Sequence, residues 1–389
     1  MKVNFYIFNS NLMNRKSYIR SVFLFVIFLL TSAALTNFIV DPAQVYPKLF
    51  PINEPILNNF SKELSLSKYG ILNKFNNFNE RDMKKALAMS SESADCAIIG
   101  SSHVMQISSF KENKSLTKYC KSIKNLGVSG GTLEDYFVFS NMLLENKHTV
   151  DTIVFGIDPW SLKFGSDGGW RRFTSDFDKM NKRLKITQKN PSTSYTVSLL
   201  LNLINLEYLI KSLDKLIYEE KEKEKEKEKE KEQFKHAEKF DQNKGVKGVA
   251  ITLPDGSHNY SAEYIIESKL LNKTFDGTSN YKIFQTNGKW YEEDAVNNLI
   301  NLVKLLKSEF NVLFIITPYH PKVWELQQPS IEAMKSVERK IHMLAKQLNI
   351  TVIGSYNPIK IGCFQDEFFG AQHPTDKCLK KLERKIVEN

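Results

Sequence analysis

Cysteine is scarce in this chain, with four in 389 residues: Cys96, Cys120, Cys363 and Cys378. No two are spaced Cys-x-x-Cys, so the usual thiolate metal sites are excluded. Zinc-finger spacing is missing too, as are a recognisable RNA-binding motif and a basic helix with interleaved aromatics. The formal charge of +10 therefore carries no nucleic-acid reading. What is present is an apolar fraction of 42%, enough for a proper core. The length suits one large α/β domain with insertions, or two domains.

Part of the positive excess flanks an apolar run. Val22 to Val40 contains no charged residue, follows Arg15, Lys16 and Arg20, and is closed by Asp41. It is about long enough to cross a hydrocarbon layer of roughly 30 Å. Read as an anchor over 21–41, it leaves residues 1–20 as a cytoplasmic basic tail and puts the remainder outside the cytoplasm, in the periplasm or on the cell surface. Ser32-Ala33-Ala34 offers the alternative of a cleaved signal peptide, although the apolar run continues past it. All four cysteines follow this segment, and an even count in an oxidising compartment suggests disulfides. Of three connectivities, the sequence-local pairs Cys96–Cys120 and Cys363–Cys378 are preferred, since each would clip a loop beside a candidate catalytic turn; buried free thiols are the alternative.

Residues 42–90 read as an irregular stalk leading to a helix over 79–89, and 91–389 as the main domain. Asp95-Cys96-Ala97-Ile98-Ile99 has strand character and runs into Gly100-Ser101-Ser102-His103-Val104, where a helix can begin. A serine on such a turn is exposed as a nucleophile, and a helix N-terminus behind it offers free N–H groups to an oxyanion; it is equally the place for an ordinary N-cap. A second strand leads through Leu126-Gly127-Val128-Ser129-Gly130-Gly131 into a helix over 133–146. A third, Val150 to Ile157, stops at Asp158-Pro159-Trp160. Strands joined by helices predict a parallel sheet with ligands at its carboxyl ends.

Residues 165–290 differ in character and read as an insertion. Trp170-Arg171-Arg172 suits either an anionic glycan or a local clamp. Residues 194–218 carry apolar side chains at helical spacing, broken by Asn202, Asn205, Glu207 and Lys211, which predicts an amphipathic helix and not a second span. Lys221 to Glu232 repeats Lys-Glu six times, a solvated spacer without chemistry. The pattern then resumes with a helix over 292–307, a strand over 311–317 ending at Pro318-Tyr319-His320-Pro321, a helix over 330–348 and a strand over 350–354. A loop, Phe364 to Thr375, carries His373 before a terminal helix over 376–387.

This order of parts resembles the SGNH, or GDSL-like, hydrolase superfamily. The likeness is nearest to its membrane-anchored extracytoplasmic members of the alginate O-acetylation and D-alanyl-lipoteichoic acid transfer type, over 91–165 and 308–385. The resemblance implies a three-layer α/β fold with a parallel, flavodoxin-like sheet, a helical insertion and an N-terminal transmembrane helix. It makes Ser102 the nucleophile, His373 the base and Gly130 an oxyanion donor, and puts Asp158 where the superfamily has an oxyanion-binding asparagine. It departs at Gly370, three residues before the histidine, where an aspartate is usual; Asp366, Glu367 or Asp158 is then the candidate acid, with Asp366 first. His103 and His320 are further candidates for substrate binding or proton transfer.

The implied activity is serine esterase or O-acyltransferase chemistry on O-acyl groups of a cell-surface polysaccharide, without metal or cofactor. The alternative is a weakly active or inactive SGNH-like protein that binds glycan or scaffolds a membrane acyltransferase. The implied partners are an acylated glycan or cell-surface polymer, a membrane acyltransferase and the membrane itself through 21–41.

Overall fold

The computed structural model describes residues 15–40, 54–73, 79–146, 149–165, 168–186, parts of 203–217, 234–277 except 240 and 242, 289–326 and 329–383. The chain divides into two units, Met1–Phe50 with Lys189–Glu230, and Pro51–Gln188 with Lys231–Asn389.

The first unit contains helix α1 (Arg15–Val40). Its stretch Ser17–Val40 is long and apolar enough to cross a membrane, and almost none of it is buried within the protein. Thr31, a polar residue within it, donates to the Ile27 carbonyl at 2.8 Å, satisfying its hydroxyl inside the helix. Of the predicted amphipathic helix over 194–218, helical positions between 206 and 217 are described. The Lys-Glu repeat and the stalk to residue 53 lie outside the described residues.

In the second unit the chain runs α2 (Glu54–Leu66), β1 (Ile71–Asn73), α3 (Glu80–Met89), β2 (Ala94–Ile99), β3 (Ile123–Asn125), α4 (Leu133–Glu145), β4 (Val150–Gly156) and α5 (Thr174–Leu184). It continues through β5 (Ala250–Thr252), β6 (His258–Asn259), α6 (Ala262–Thr274), α7 (Glu293–Leu306), β7 (Asn311–Ile316), α8 (Pro321–Glu325), α9 (Pro329–Leu348), β8 (Thr351–Gly354), α10 (Pro358–Ile361), β9 (Phe368–Phe369), β10 (His373–Pro374) and α11 (Asp376–Leu379). The fold is mixed α/β. Its centre is a five-stranded sheet in the order β3-β2-β4-β7-β8, with every neighbouring pair parallel. The chain enters at β2, adds β3 on one side and β4 on the other, so the strand order reverses between β2 and β4. Carboxyl ends at such a reversal are where open parallel sheets form their sites.

Parallel strands are covered on both faces, which is why β2, β4 and β7 read as apolar runs without alternation. The two covers differ. Ala97, Ile99, Ile153, Phe155, Val312, Phe314 and Ile316 face a large cluster that contains the buried sides of α4, α7 and α9. Cys96, Ile98, Val154, Leu313, Ile315 and Ile353 face a smaller one built from turns, short helices and all four cysteines. Those cysteines form Cys96–Cys120 and Cys363–Cys378, the sequence-local pairs expected.

Local chemistry explains the element ends. Asn79 caps α3 by accepting from Arg81 N at 2.8 Å. Asp135 accepts from Thr132 N at 3.0 Å at the start of α4 and also holds the Arg81 guanidinium through two bonds of 2.8 and 3.0 Å. Trp170-Arg171-Arg172 forms a local clamp: Trp170 packs on Phe177 with ring centroids 4.2 Å apart, Arg171 lies over the Trp170 ring, and Arg172 binds both carboxylate oxygens of Asp82 at 2.6 Å.

Two expectations are corrected. The helix after Gly100-Ser101-Ser102 is a single 3-10 turn, Ser102–Val104. The reason is visible in β3: the Asn125 amide donates to the carbonyls of Val104 and Ile107, both at 2.8 Å, and His258 N takes the Met105 carbonyl at 2.9 Å, so these acceptors are withdrawn from any longer helix. At the far end, α11 makes one turn and passes into a 3-10 turn, Lys380–Glu383, while 384–387 of the expected terminal helix lie outside the described residues.

Candidate functional site

Three loops meet at the carboxyl edge of the sheet. The first leaves β2. Ser101 is fully buried, and its hydroxyl accepts from His103 N at 3.1 Å as a cap, so it is the following residue, Ser102, whose side chain is presented. The second loop follows β3 and is pressed onto the first: Val128 N donates to the Gly100 carbonyl at 3.0 Å. A Cβ on Gly131 would overlap that same carbonyl oxygen, so the approach is open only to glycine. Gly130, with a φ of 61°, makes the turn in the left-handed region. The third loop leaves β4. Its Trp160 ring nitrogen donates to the Gly131 carbonyl at 3.0 Å, while Tyr136 and Tyr356 donate to the carbonyls of Gly156 and Ile157 at 2.5 and 2.9 Å.

His373 arrives from the other end of the chain on β10, which pairs with β9 so that His373 lies opposite Phe369. This hairpin is pinned from several sides. Cys363–Cys378 brackets it in sequence. The Asn272 side chain from α6 accepts from Gly370 N at 3.1 Å and donates to the Phe368 carbonyl. His320 N donates to the Ala371 carbonyl at 3.0 Å.

The result is a contact between residues 271 apart in sequence: Ser102 Oγ stands 2.9 Å from His373 Nε2. With its proton on Nδ1, the imidazole accepts from the serine hydroxyl. Burial, with the neighbouring His103 adding to it, pushes His373 down to about 3. It is therefore neutral throughout the physiological range and able to receive a proton.

His103 and Asp158 form a second pair beside the first. His103 Nδ1 lies 2.7 Å from Asp158 Oδ1, and both side chains are almost wholly buried. The approach is close without being aligned as a hydrogen bond. The His103 ring stands nearly perpendicular to those of Trp160, Tyr319 and His373, at centroid separations of 5.4, 5.3 and 5.3 Å. Asp158 N donates to Ser161 Oγ at 3.0 Å, which fixes the loop beneath the carboxylate.

The remaining candidates are placed apart. Asp366 is exposed on the 3-10 turn Gln365–Glu367. Glu367 is engaged by Lys381 at 2.6 Å and by Phe364 N at 2.9 Å. Among the described residues no carboxylate lies within ion-pair distance of His373. His320 caps α8 by accepting from Lys322 N at 3.2 Å and sits between the rings of Phe275 and Phe368; burial, then Lys322, pushes it down to about 4. Its place is underneath the hairpin. Gly130 is exposed in the second loop, and neither its N–H nor that of Ser102 donates a hydrogen bond among the described residues.

Sequence reasoning missed Trp160 and Tyr319 as walls around His103, and Asn272 as the brace of the hairpin. Trp160 and Tyr319 adjoin the strand-end residues Asp158 and His320 in the sequence. Asn272 gave no signal, being one polar residue on an otherwise ordinary helix. Among the described residues no cluster of histidine, cysteine and acidic side chains suits a metal ion. No protein-family model and no curated protein matches the chain.

Proposed function

We propose that this chain is a membrane-anchored, extracytoplasmic serine esterase or O-acyltransferase of the SGNH type, acting on O-acyl groups of a cell-surface polysaccharide. The observation that carries the reading is the 2.9 Å approach of Ser102 Oγ to His373 Nε2 at the carboxyl edge of a parallel sheet. Two disulfides suit an oxidising compartment, and α1 suits an anchor.

In this reading Ser102 Oγ attacks the ester carbonyl carbon and its proton passes to His373 Nε2. The N–H groups of Ser102 and Gly130 face the oxyanion. The protonated imidazole returns the proton to the departing alcohol, leaving an acyl-serine. Water or a sugar hydroxyl then attacks that ester, with His373 again taking the proton, and the choice of acceptor separates esterase from transferase. Asp158 is the carboxylate that reaches this group by contact, through His103.

A second reading, a weakly active or inactive relative that binds glycan or scaffolds a membrane acyltransferase, is favoured by the lack of a carboxylate on His373 among the described residues. The two readings separate on one experiment: the full chain in detergent is treated with a fluorophosphonate probe. Labelling that maps to Ser102, is absent in Ser102→Ala and falls at least tenfold in His373→Ala supports the enzyme. A folded protein that takes no label supports the scaffold.

A further inference from the structure

Helix α1 contains one fully buried amide, Asn37, three residues before the helix ends. At 1.5 Å per residue it stands about 30 Å along the helix from Ser17, the depth of the far edge of a hydrocarbon layer entered there. A fully buried side-chain amide there needs protein partners, because burial shuts out water and headgroups. Its partners come from residues 203–212 of the same unit. Asn37 Nδ2 donates to the carbonyls of Leu203 and Asn205 at 2.8 and 3.4 Å, and Ser212 Oγ donates to Asn37 Oδ1 at 3.0 Å. Ala33, Asn37 and Val40 follow one another on a single face of α1 and are half-buried or buried, whereas Phe28, Leu35 and Ile39 are exposed.

The segment that grips Asn37 has a second side. Leu209 N donates to the Asn205 carbonyl at 3.0 Å, a helical bond, and the described positions among 206–217 are helical. Leu206, Ile210, Leu213 and Ile217 recur at intervals of four, three and four, one stripe along such a helix. All four are exposed, Leu206 to 70% and Ile210 to 52%. Asn205 and Ser212, which reach Asn37, lie about 120° around the helix from that stripe.

We infer that residues 203–217 are a second membrane-contacting element, lying in the bilayer interface beside the Val40 end of α1 with the Leu206–Ile210–Leu213–Ile217 stripe turned into acyl chains. Lipid is the occupant because the stripe is apolar and exposed as the outer surface of α1 is, and because the Asn37 bonds fix the segment at the depth where acyl chains begin. A segment of this length is too short to span and long enough to lie flat. Gripping α1 on one side and lipid on the other, it restrains rotation of the anchor about its own axis.

The test uses the full chain reconstituted into phosphatidylcholine vesicles whose acyl chains carry bromine near the headgroup, or near the chain end for the mid-bilayer anchor control, with tryptophan introduced singly by Ile210→Trp, Ile217→Trp and, as that control, Phe28→Trp. The unsubstituted chain gives the background of its native tryptophans. Bromine is expected to quench the added signal at 210 and 217 by at least half. Quenching at 28 alone overturns the proposal and leaves the anchor standing; quenching at none of the three overturns both. If the variants fail to fold, the unsubstituted chain is irradiated in vesicles bearing a diazirine on the acyl chain. Adducts on peptides from 203–217 support the proposal, and adducts confined to α1 overturn it.

Discussion

The two faces of the central sheet are held by different means. One carries the buried sides of α4, α7 and α9, with Tyr136, Phe137, Phe155, Phe314 and Ile341 fully buried among them. Among the described residues the other has no long helix in its cluster and is assembled from turns, short helical pieces and both disulfides. Burial of large side chains stabilises the first in proportion to apolar area. The second has less area to bury, and cross-links compensate by restricting the unfolded chain. The difference shows why the candidate site can hang from irregular segments: His373 sits on a hairpin of two-residue strands, and Cys363–Cys378, Asn272 and the His320 backbone do for it what a helix does elsewhere.

That contrast can be broken from either side. The largest expected effect is on the helical face. Phe314→Ala, or Phe155→Ala, should cost about 3–5 kcal/mol by removing a buried ring, read as a lower urea midpoint with unchanged slope. Fluorophosphonate labelling of whatever protein stays folded should persist. On the other face, replacing Cys363 and Cys378 together by alanine should cost about 3 kcal/mol for a loop of this length, and labelling should fall well before global unfolding because the His373 hairpin loosens first. Equal loss of labelling and of fold in both variants would erase the distinction.

Smaller changes sharpen it. Gly131→Ala should cost about 1–3 kcal/mol by forcing a methyl against the Gly100 carbonyl. It should also suppress Ser102 labelling by parting the first two loops; a variant that labels normally would mean those loops are not jointly required.

Acid is expected to act through histidines outside the helical cluster. His373 and His258 are held down to about 3 and His320 to about 4, each chiefly by burial. The unfolded chain binds these protons near pH 6.5 and the folded chain resists them. Stability is therefore full above about pH 6.5 and declines as pH falls toward 4, by at most about 1.4 kcal/mol per pH unit for each histidine. Urea midpoints between pH 7 and 4 measure it, and His258→Asn should flatten the slope. The same low value for His373 predicts labelling that is flat from pH 8 to 5; a midpoint near 6.5 would show an unshifted base. The smallest effect belongs to Asp366→Asn. That carboxylate is exposed and makes no ion pair with His373, so the labelling rate should change less than twofold, and a tenfold loss would restore it as the acid.

Much of this was legible along the chain. The apolar runs at 95–99, 150–156 and 311–316 marked the buried parallel strands, because such strands need no alternation. The residues at 292–307 and 330–348 marked long helices by their period. The helix long and apolar enough to cross a membrane was plain from nineteen uncharged residues behind a basic cluster. The placement of Ser102 at a strand end and of His373 in a late loop could be read as well, since both depend on local punctuation by glycine and proline.

What failed locally failed for a tertiary reason. The turn after Ser102 has a helix-compatible sequence, yet Asn125 and His258 take its carbonyls from elsewhere in the chain. Likewise Asp158 gives no sign in sequence that it lies against His103 and not against His373.

The sequence by itself marked the long helices, the buried strands and the apolar run of α1, and made the sequence-local cysteine pairs the preferred ones, since each rests on side chains close to one another along the chain. Only the tertiary structure decided that Ser102 meets His373, that Asp158 meets His103 and that Asn37 is answered by residues 203–212. Those contacts span more than fifty residues each and are set by strand order, close backbone approach and burial, which no local pattern encodes.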